Sequence, residues 1–219
     1  MSDAYIESHC TLRDSFTLAT RWIGGRRTSL IAPSTSAVEA QPWLTDVQVS
    51  IGTIGNRHSR FAASPRGIVI AWCLNLVEVL DLEGRRGVES VVLVQAHKPH
   101  APWVTARNAE HLGGEAVPAV PESDAATKAF VKGISSLAVH NQGLTDSRER
   151  SAAVQGLTYL RDHAHALHPA QLVVEALRND WPGSSPVELA KIAKELNAGK
   201  QLRYQRRLNP EAMGKWLHA

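Results

Sequence analysis

Arginine side chains are concentrated in two short stretches of the sequence, where their charge and shape suit an anion. The first stretch supplies the group Arg57, His58, Arg60 and Arg66. A guanidinium group is planar and offers paired N–H donors, so it binds phosphate or carboxylate through two parallel hydrogen bonds. The sequence therefore predicts a phosphate-binding loop here, and solvated surface arginine is the competing interpretation.

The second stretch lies near the C-terminus and adds an aromatic side chain to the positive charge. It contains Lys200, Arg203, Tyr204, Arg206 and Arg207. Proteins that bind nucleic acid combine positive charge along one face with aromatic rings that stack on bases. This pattern predicts a nucleic-acid contact. The alternative is a charged segment that docks the C-terminal tryptophan on the core.

A third group follows the most strand-like run of the sequence and carries two histidines. It consists of His97, Lys98, His100 and Trp103. These residues suit phosphate binding or acid–base chemistry. No cysteine or carboxylate stands beside the two histidines, so we predict no metal site. Trp103 either packs in the core or stacks on a base.

No other motif identifies a reaction or a cofactor. The run Gly52–Gly55 lacks the Lys-Ser/Thr ending of a P-loop and the third glycine of a dinucleotide-binding loop. Glu78 and Asp81 lie one turn apart in the predicted helix and are interpreted as a solvated stripe. The sequence contains no nucleophile elbow and no HExxH zinc motif. Cofactor identity stays unknown.

Composition places the chain among ordinary globular proteins. The hydrophobic fraction is 43%, the formal net charge is +3 and the pI is about 9.0, so the protein is mildly basic. Cys10 and Cys73 are the only cysteines. These features, with no signal-peptide pattern and an apolar run at 68–80 too short for a bilayer, predict a reduced cytoplasmic protein with no membrane contact.

The elements that would position the first and third groups are predicted from hydrophobic period and turn residues. Gly24-Gly25 favours a hairpin joining strands 16–23 and 26–32. Strand 46–54, helix 65–82 and strand 88–95 then form a βαβ unit, followed by a short helix at 105–112. Helix 65–82 depends on a Ser-Pro start and on polar residues recurring every third position.

The βαβ unit places both basic loops at one edge of the sheet. In open α/β sheets, ligands bind outside the carboxyl ends of the strands, next to helix N-termini that favour anions. Loops 55–63 and 96–104 leave those ends. We therefore expect a phosphate-bearing ligand there.

The second half of the sequence is predicted to be helical. A proline-containing connector at 115–123 separates it from the first half. Helices are expected at about 124–139 and 146–166, and three more begin with Pro169, Pro186 and Pro210. We place the domains at 1–116 and 122–219.

The sequence thus predicts an α/β domain, with a mixed sheet, a βαβ unit and an N-terminal hairpin, followed by an all-helical C-terminal domain. The favoured function is binding of a phosphate-bearing ligand, above all nucleic acid, through the basic loops and the C-terminal patch. The alternatives are an enzyme acting on a nucleotide or small anion in the same crevice, and a non-catalytic assembly protein that uses its helical domain to bind a protein partner. Whether the protein is an enzyme stays open.

Overall fold

The chain folds into two compact units, Met1–Pro118 and Ala119–Ala219. The first is an α/β unit and the second is helical, which confirms the predicted fold class. In this computed structural model the described residues are 2–7, 10–47, 49–54, 64–94, 100–137, 144 and 146–219. No helix of these ranges is long and apolar enough to cross a membrane.

The N-terminal unit is built on a six-stranded sheet with the strand order β3-β2-β4-β5-β1-β6. The strands are β1 (Ala4–Ile6), β2 (Thr28–Ala32), β3 (Ser50–Thr53), β4 (Gly67–Trp72), β5 (Val88–Val94) and β6 (Glu110–Gly113). Every pairing between these strands is parallel, so the sheet is parallel rather than mixed across the described residues. Strand β5 lies where the sequence predicted it.

Helices cover both faces of this sheet. They are α1 (Leu12–Ile23), α2 (Thr35–Glu39), α3 (Leu76–Glu83) and α4 (Ala101–Arg107), with a short 3-10 helix at Pro42–Asp46. On one face, Phe16 and Ile23 of α1 pack in a single core with side chains such as Ile70 of β4. Alternate side chains of a strand point to opposite faces, and α3 contacts β5. The central strands are therefore buried on both sides.

The predicted helix 65–82 is wrong in its first half. All six residues of β4 are buried, so the apolar run is a strand covered on both faces. The helix begins only at Leu76, because Asn75 and Glu78 form a reciprocal capping box there. These polar positions were assigned from the sequence to the solvent-facing stripe of a longer helix. In the structure they form the N-terminal cap of a short helix.

The predicted N-terminal hairpin is also wrong. Residues 16–23 belong to helix α1, whose N-cap Thr11 accepts a hydrogen bond from the Asp14 backbone N–H. Gly24 adopts the left-handed conformation (φ 65°) and ends the helix. A glycine pair can close a hairpin or end a helix, and here Phe16, Ala19 and Ile23 occupy one helical face.

Two smaller differences concern the other predicted elements of this unit. Strand 46–54 is shorter, because the chain forms a 3-10 helix up to Asp46 before β3 begins at Ser50. The helix predicted at 105–112 lies earlier in the chain. It ends at Arg107, where Asn108 adopts a left-handed conformation (φ 48°), and β6 follows it at the edge of the sheet.

The C-terminal unit has its own hydrophobic core. Its helices are α5 (Ala125–Leu137), α6 (Ser147–Asp162), α7 (Pro169–Arg178), α8 (Ser185–Asn197) and α9 (Pro210–Leu217). Phe130 and Trp216 meet edge to face at a centroid distance of 5.4 Å in this core. Close packing there needs glycine, because a Cβ at Gly156 would lie 2.5 Å from Phe130. Helices α7 and α9 begin at the predicted prolines, whereas α8 begins one residue earlier, at Ser185.

Candidate nucleic-acid interface

An irregular segment joins α8 to α9 and carries the second predicted cationic group. We call this segment, residues 200–207, the cationic strap. It contains neither helix nor strand, and every cationic side chain in it is exposed to solvent. No acidic residue occurs between Glu195 and Glu211, so the segment itself carries only positive charge. The structure therefore brings Lys200, Arg203, Tyr204, Arg206 and Arg207 together on one short surface segment.

A buried glutamine of α6 holds the C-terminal end of the strap. The side chain of Gln155 is only 6% exposed. Its Oε1 accepts hydrogen bonds from the backbone N–H groups of Arg207 (2.7 Å) and Leu208 (2.9 Å). Its Nε2 donates to the Leu208 carbonyl at 3.0 Å. One amide thus satisfies three backbone groups, which fixes the chain direction as it leaves the strap.

Apolar side chains in and next to the strap anchor its backbone, and a surface ion pair lies at its N-terminal end. Leu208 is buried in the helical core, and Leu202 packs against the same core. At the other end the Lys200 ammonium lies 3.1 Å from a carboxylate oxygen of Glu195. The inward-pointing leucines anchor the backbone, so the charged side chains between them face solvent.

The two middle arginines of the strap are available for an external anion. Arg203 and Arg206 make no ion pair or side-chain hydrogen bond with the part of the chain that the structure describes. Arg207 contacts the side-chain oxygen of Gln205, which leaves its charge uncompensated. Tyr204 lies between them and is 39% exposed, the only exposed large hydrophobic side chain among the described residues. This combination of charge and aromatic surface suits a phosphate chain with bases.

The two groups predicted in the N-terminal unit are described only in part. Arg57, His58, Arg60, His97 and Lys98 lie outside the described residues. Three members remain, and the structure does not bring them to one place: Arg66, His100 and Trp103.

Arg66 and His100 lie at opposite edges of the sheet. Arg66 is exposed and directly precedes β4, whereas His100 follows β5 and contacts the chain just beyond the end of β4. A strand of six residues is about 20 Å long, so the two side chains do not form one anion site. The prediction of one anion site that contains both residues assumed that residue 66 starts a helix at the carboxyl edge. Because residue 66 precedes strand β4 instead, that prediction is wrong.

His100 is held by the backbone beyond β4. Its Nε2 donates a hydrogen bond to the Leu74 carbonyl at 2.7 Å. Burial lowers the pKa of His100, although this backbone contact and the nearby carboxylates of Glu7 and Glu78 act in the opposite direction. A neutral ring next to two acidic residues does not attract an anion. The described part of this edge therefore gives less support to phosphate binding than the strap does.

Trp103 is a core residue. It is 0% exposed, and its indole N–H donates to Oε1 of Glu83 at 3.0 Å. Arg107 forms an ion pair with the same carboxylate at 3.0 Å. The ring has no face open to a ligand, so the packing alternative is correct for Trp103 and the stacking alternative is wrong.

Sequence reasoning gave no site role to three residues that lie at these places: Gln155 beside the strap, and Glu7 and Cys73 at the carboxyl edge of the sheet. The signal for Gln155 was a polar side chain among the apolar positions of α6, between Val154 and Leu157. Glu7 and Cys73 each follow a strand at the carboxyl edge, since Ile6 and Trp72 both pair with Val94. Cys73 has a positive φ of 53°, and burial raises the pKa of its thiol to about 11.

Comparison with known proteins adds one similarity, and it falls in the helical unit. Residues 124–217 are similar to a family described as a domain of unknown function (DUF1889). This range is less than half of the 219-residue chain, and it contains both Gln155 and the whole cationic strap. No curated protein and no solved structure matches the chain.

Proposed function

We propose that this protein binds nucleic acid through the cationic strap. The observation that carries the proposal is the pair Arg203 and Arg206, which project from an anchored backbone without partners in the described chain, on either side of the exposed Tyr204. A backbone that is already anchored on both sides of these residues loses less conformational freedom when a ligand binds. A polyanion is the ligand that this arrangement suits best.

The number and spacing of the charges favour a polymer over a small anion. An extended chain spans at most about 3.6 Å per residue, so the charges of 200–207 are spread over up to roughly 25 Å. A single small anion contacts only part of such a line. A phosphate backbone can neutralise several of these cations at once, and each neutralised phosphate releases counterions. Arg57, Arg60 and Lys98 stay predicted contributors from the N-terminal unit.

Two alternatives have less support from the described residues. The enzyme alternative relies on Glu7 beside His100 at the carboxyl edge, yet the described charges there are acidic. The assembly alternative expects an exposed apolar face on the helical unit. Across the described ranges, Tyr204 is the only large hydrophobic side chain that is exposed.

The test is fluorescence anisotropy of the full-length protein with labelled oligonucleotides. We expect salt-sensitive binding that falls by about tenfold or more in the double variant Arg203→Ala/Arg206→Ala, because two charged contacts are lost. The matched control is Arg161→Ala/Lys191→Ala, which removes the same charge from the same unit. Both control residues already have acidic partners, Asp162 and Glu188.

The outcomes separate the alternatives. Equal binding by wild type and by the strap variant would exclude the strap as the interface. Displacement of the oligonucleotide by an equal phosphate concentration of a mononucleotide would favour a small-anion site over a polymer site. An absence of binding at low salt would reject the proposal.

A further inference from the structure

The aromatic side chain at the centre of the strap helps to distinguish between possible ligands of the strap, which the charges around it do not. Tyr204 is 39% exposed, whereas the other large apolar side chains of the described chain are buried or half-buried. Its neighbours in sequence, Arg203 and Gln205, are exposed as well. Phosphates do not require an aromatic ring, so Tyr204 offers a stacking surface in addition to the contacts that the charges can make.

The backbone of the strap also distinguishes between the forms of nucleic acid. Base edges in the major groove of a duplex are read mainly by a helix or a β-ribbon. The strap is neither, and residues 201–206 make no backbone hydrogen bond to the described part of the chain. The described residues therefore do not engage the N–H and C=O groups of residues 201–206. Such a segment can lie along a flexible strand more readily than it can enter a groove.

We propose that the strap binds single-stranded nucleic acid, with Tyr204 stacking on an unpaired base while Arg203 and Arg206 contact the flanking phosphates. This inference rests on the proposed function and deepens it by naming the form of the ligand. In a duplex both faces of each base are covered by neighbouring bases. An unpaired base has a face available for the tyrosine ring, and stacking of this kind is tolerant of sequence.

The test compares three ligands in anisotropy titrations of the full-length protein: a single-stranded oligonucleotide, its duplex and an abasic strand of the same length. The variants are Tyr204→Leu, which removes the aromatic ring, and Tyr204→Phe, which keeps it. Stacking of one base contributes about 1–3 kcal/mol, so Tyr204→Leu should lower single-strand affinity by about 5- to 150-fold. Tyr204→Phe should stay within about twofold of wild type, and the abasic strand should bind all three proteins equally weakly.

Several results would overturn the single-strand inference while leaving nucleic-acid binding intact. One such result is binding of the single strand by Tyr204→Leu as tightly as by wild type, and another is binding of the duplex as tightly as the single strand. In both cases the strap would contact phosphates only, and loss on Arg203→Ala/Arg206→Ala would still establish the interface. A failure of every oligonucleotide to bind at low salt would reject both the inference and the proposed function. Circular dichroism of each variant checks its fold, and Tyr204 is exposed enough for the substitutions to be tolerated.

Discussion

At the scale of single residues, burial decides which side chains are chemically available. Cys73 follows the central strand β4 and has a left-handed backbone, a conformation that is uncommon for a residue other than glycine. Strained residues cluster at functional sites, which draws attention to this thiol. However, burial raises its pKa to about 11. The thiol is therefore protonated at neutral pH and is a poor nucleophile.

The Cys73 thiol of the folded protein should react slowly with alkylating reagents. With a pKa of about 11, only about one Cys73 side chain in a thousand is a thiolate at pH 8. Iodoacetamide should therefore label Cys73 slowly in the folded protein and readily after denaturation in urea, as measured by mass spectrometry of the peptide that contains it. Rapid labelling of the native thiol would mean that Cys73 is activated, and it would revive the enzyme alternative.

His100 makes the stability of the folded protein depend on pH. Its pKa is lowered in the folded state by burial, while Glu7 and Glu78 oppose the shift. Below the ordinary histidine pKa of about 6.5 the unfolded chain binds more protons than the folded one, so this residue makes stability fall as the pH is lowered toward the folded-state pKa. Above about pH 6.5 the contribution of His100 to the free energy of unfolding no longer changes with pH.

The variant His100→Gln keeps a donor for the Leu74 carbonyl but does not titrate. Its urea midpoint should therefore decrease less than that of wild type between pH 7.5 and pH 5.5. Carboxylates elsewhere affect both proteins equally, so the difference isolates His100. If the urea midpoints of the two proteins decreased equally with pH, His100 would not be the residue responsible for the pH dependence.

At the scale of elements, one buried side chain of α6 determines the path of the strap. Gln155 satisfies two N–H groups and one carbonyl of residues 207–208. Without it those backbone groups would have to find water next to an apolar core. Gln155 is therefore a positioning residue that carries no charge of its own.

The variant Gln155→Leu should destabilise the protein by about 1–3 kcal/mol, because buried backbone groups lose their partners. It should also weaken oligonucleotide binding although every cationic side chain is still present. Denaturant unfolding and anisotropy measure the two effects. The control is Gln171→Leu, since Gln171 makes one exposed hydrogen bond to the Glu122 carbonyl. Unchanged affinity in Gln155→Leu would mean that strap position is irrelevant to binding.

Elements with local start and stop signals were predictable from the sequence. The start of α9 was predicted from a proline at its first position and from the N-cap Asn209, whose side chain accepts a hydrogen bond from the Glu211 N–H. Strand β5 was predicted from its run of β-branched residues. The apolar run at 68–80 was not predictable by periodicity, because a strand covered on both faces and a buried helix are both apolar throughout. The hairpin predicted at Gly24-Gly25 was wrong for a similar reason, because glycine is common both at the ends of helices and in hairpin turns.

At the scale of the whole molecule, the candidate interface was predictable as a group of residues but not as an anchored surface. Arg203, Tyr204 and Arg206 are adjacent in sequence, so their types alone indicated a cationic segment with an aromatic ring. Its anchor, Gln155, is about fifty residues away in sequence, and only the folded helical unit brings the two together. Arg66 was predicted at the wrong edge of the sheet, because the residues that follow it form strand β4 and not the predicted helix.

If the strap binds a phosphate backbone as we propose, the affinity for nucleic acid must fall as the salt concentration rises. The measurement is the slope of log affinity against log salt concentration for a single-stranded oligonucleotide. Each phosphate contact contributes about −0.7 to this slope, so Arg203→Ala/Arg206→Ala should reduce its magnitude by about 1.4 relative to wild type and to Arg161→Ala/Lys191→Ala. A slope near zero in wild type, or the same slope in all three proteins, would contradict the claim.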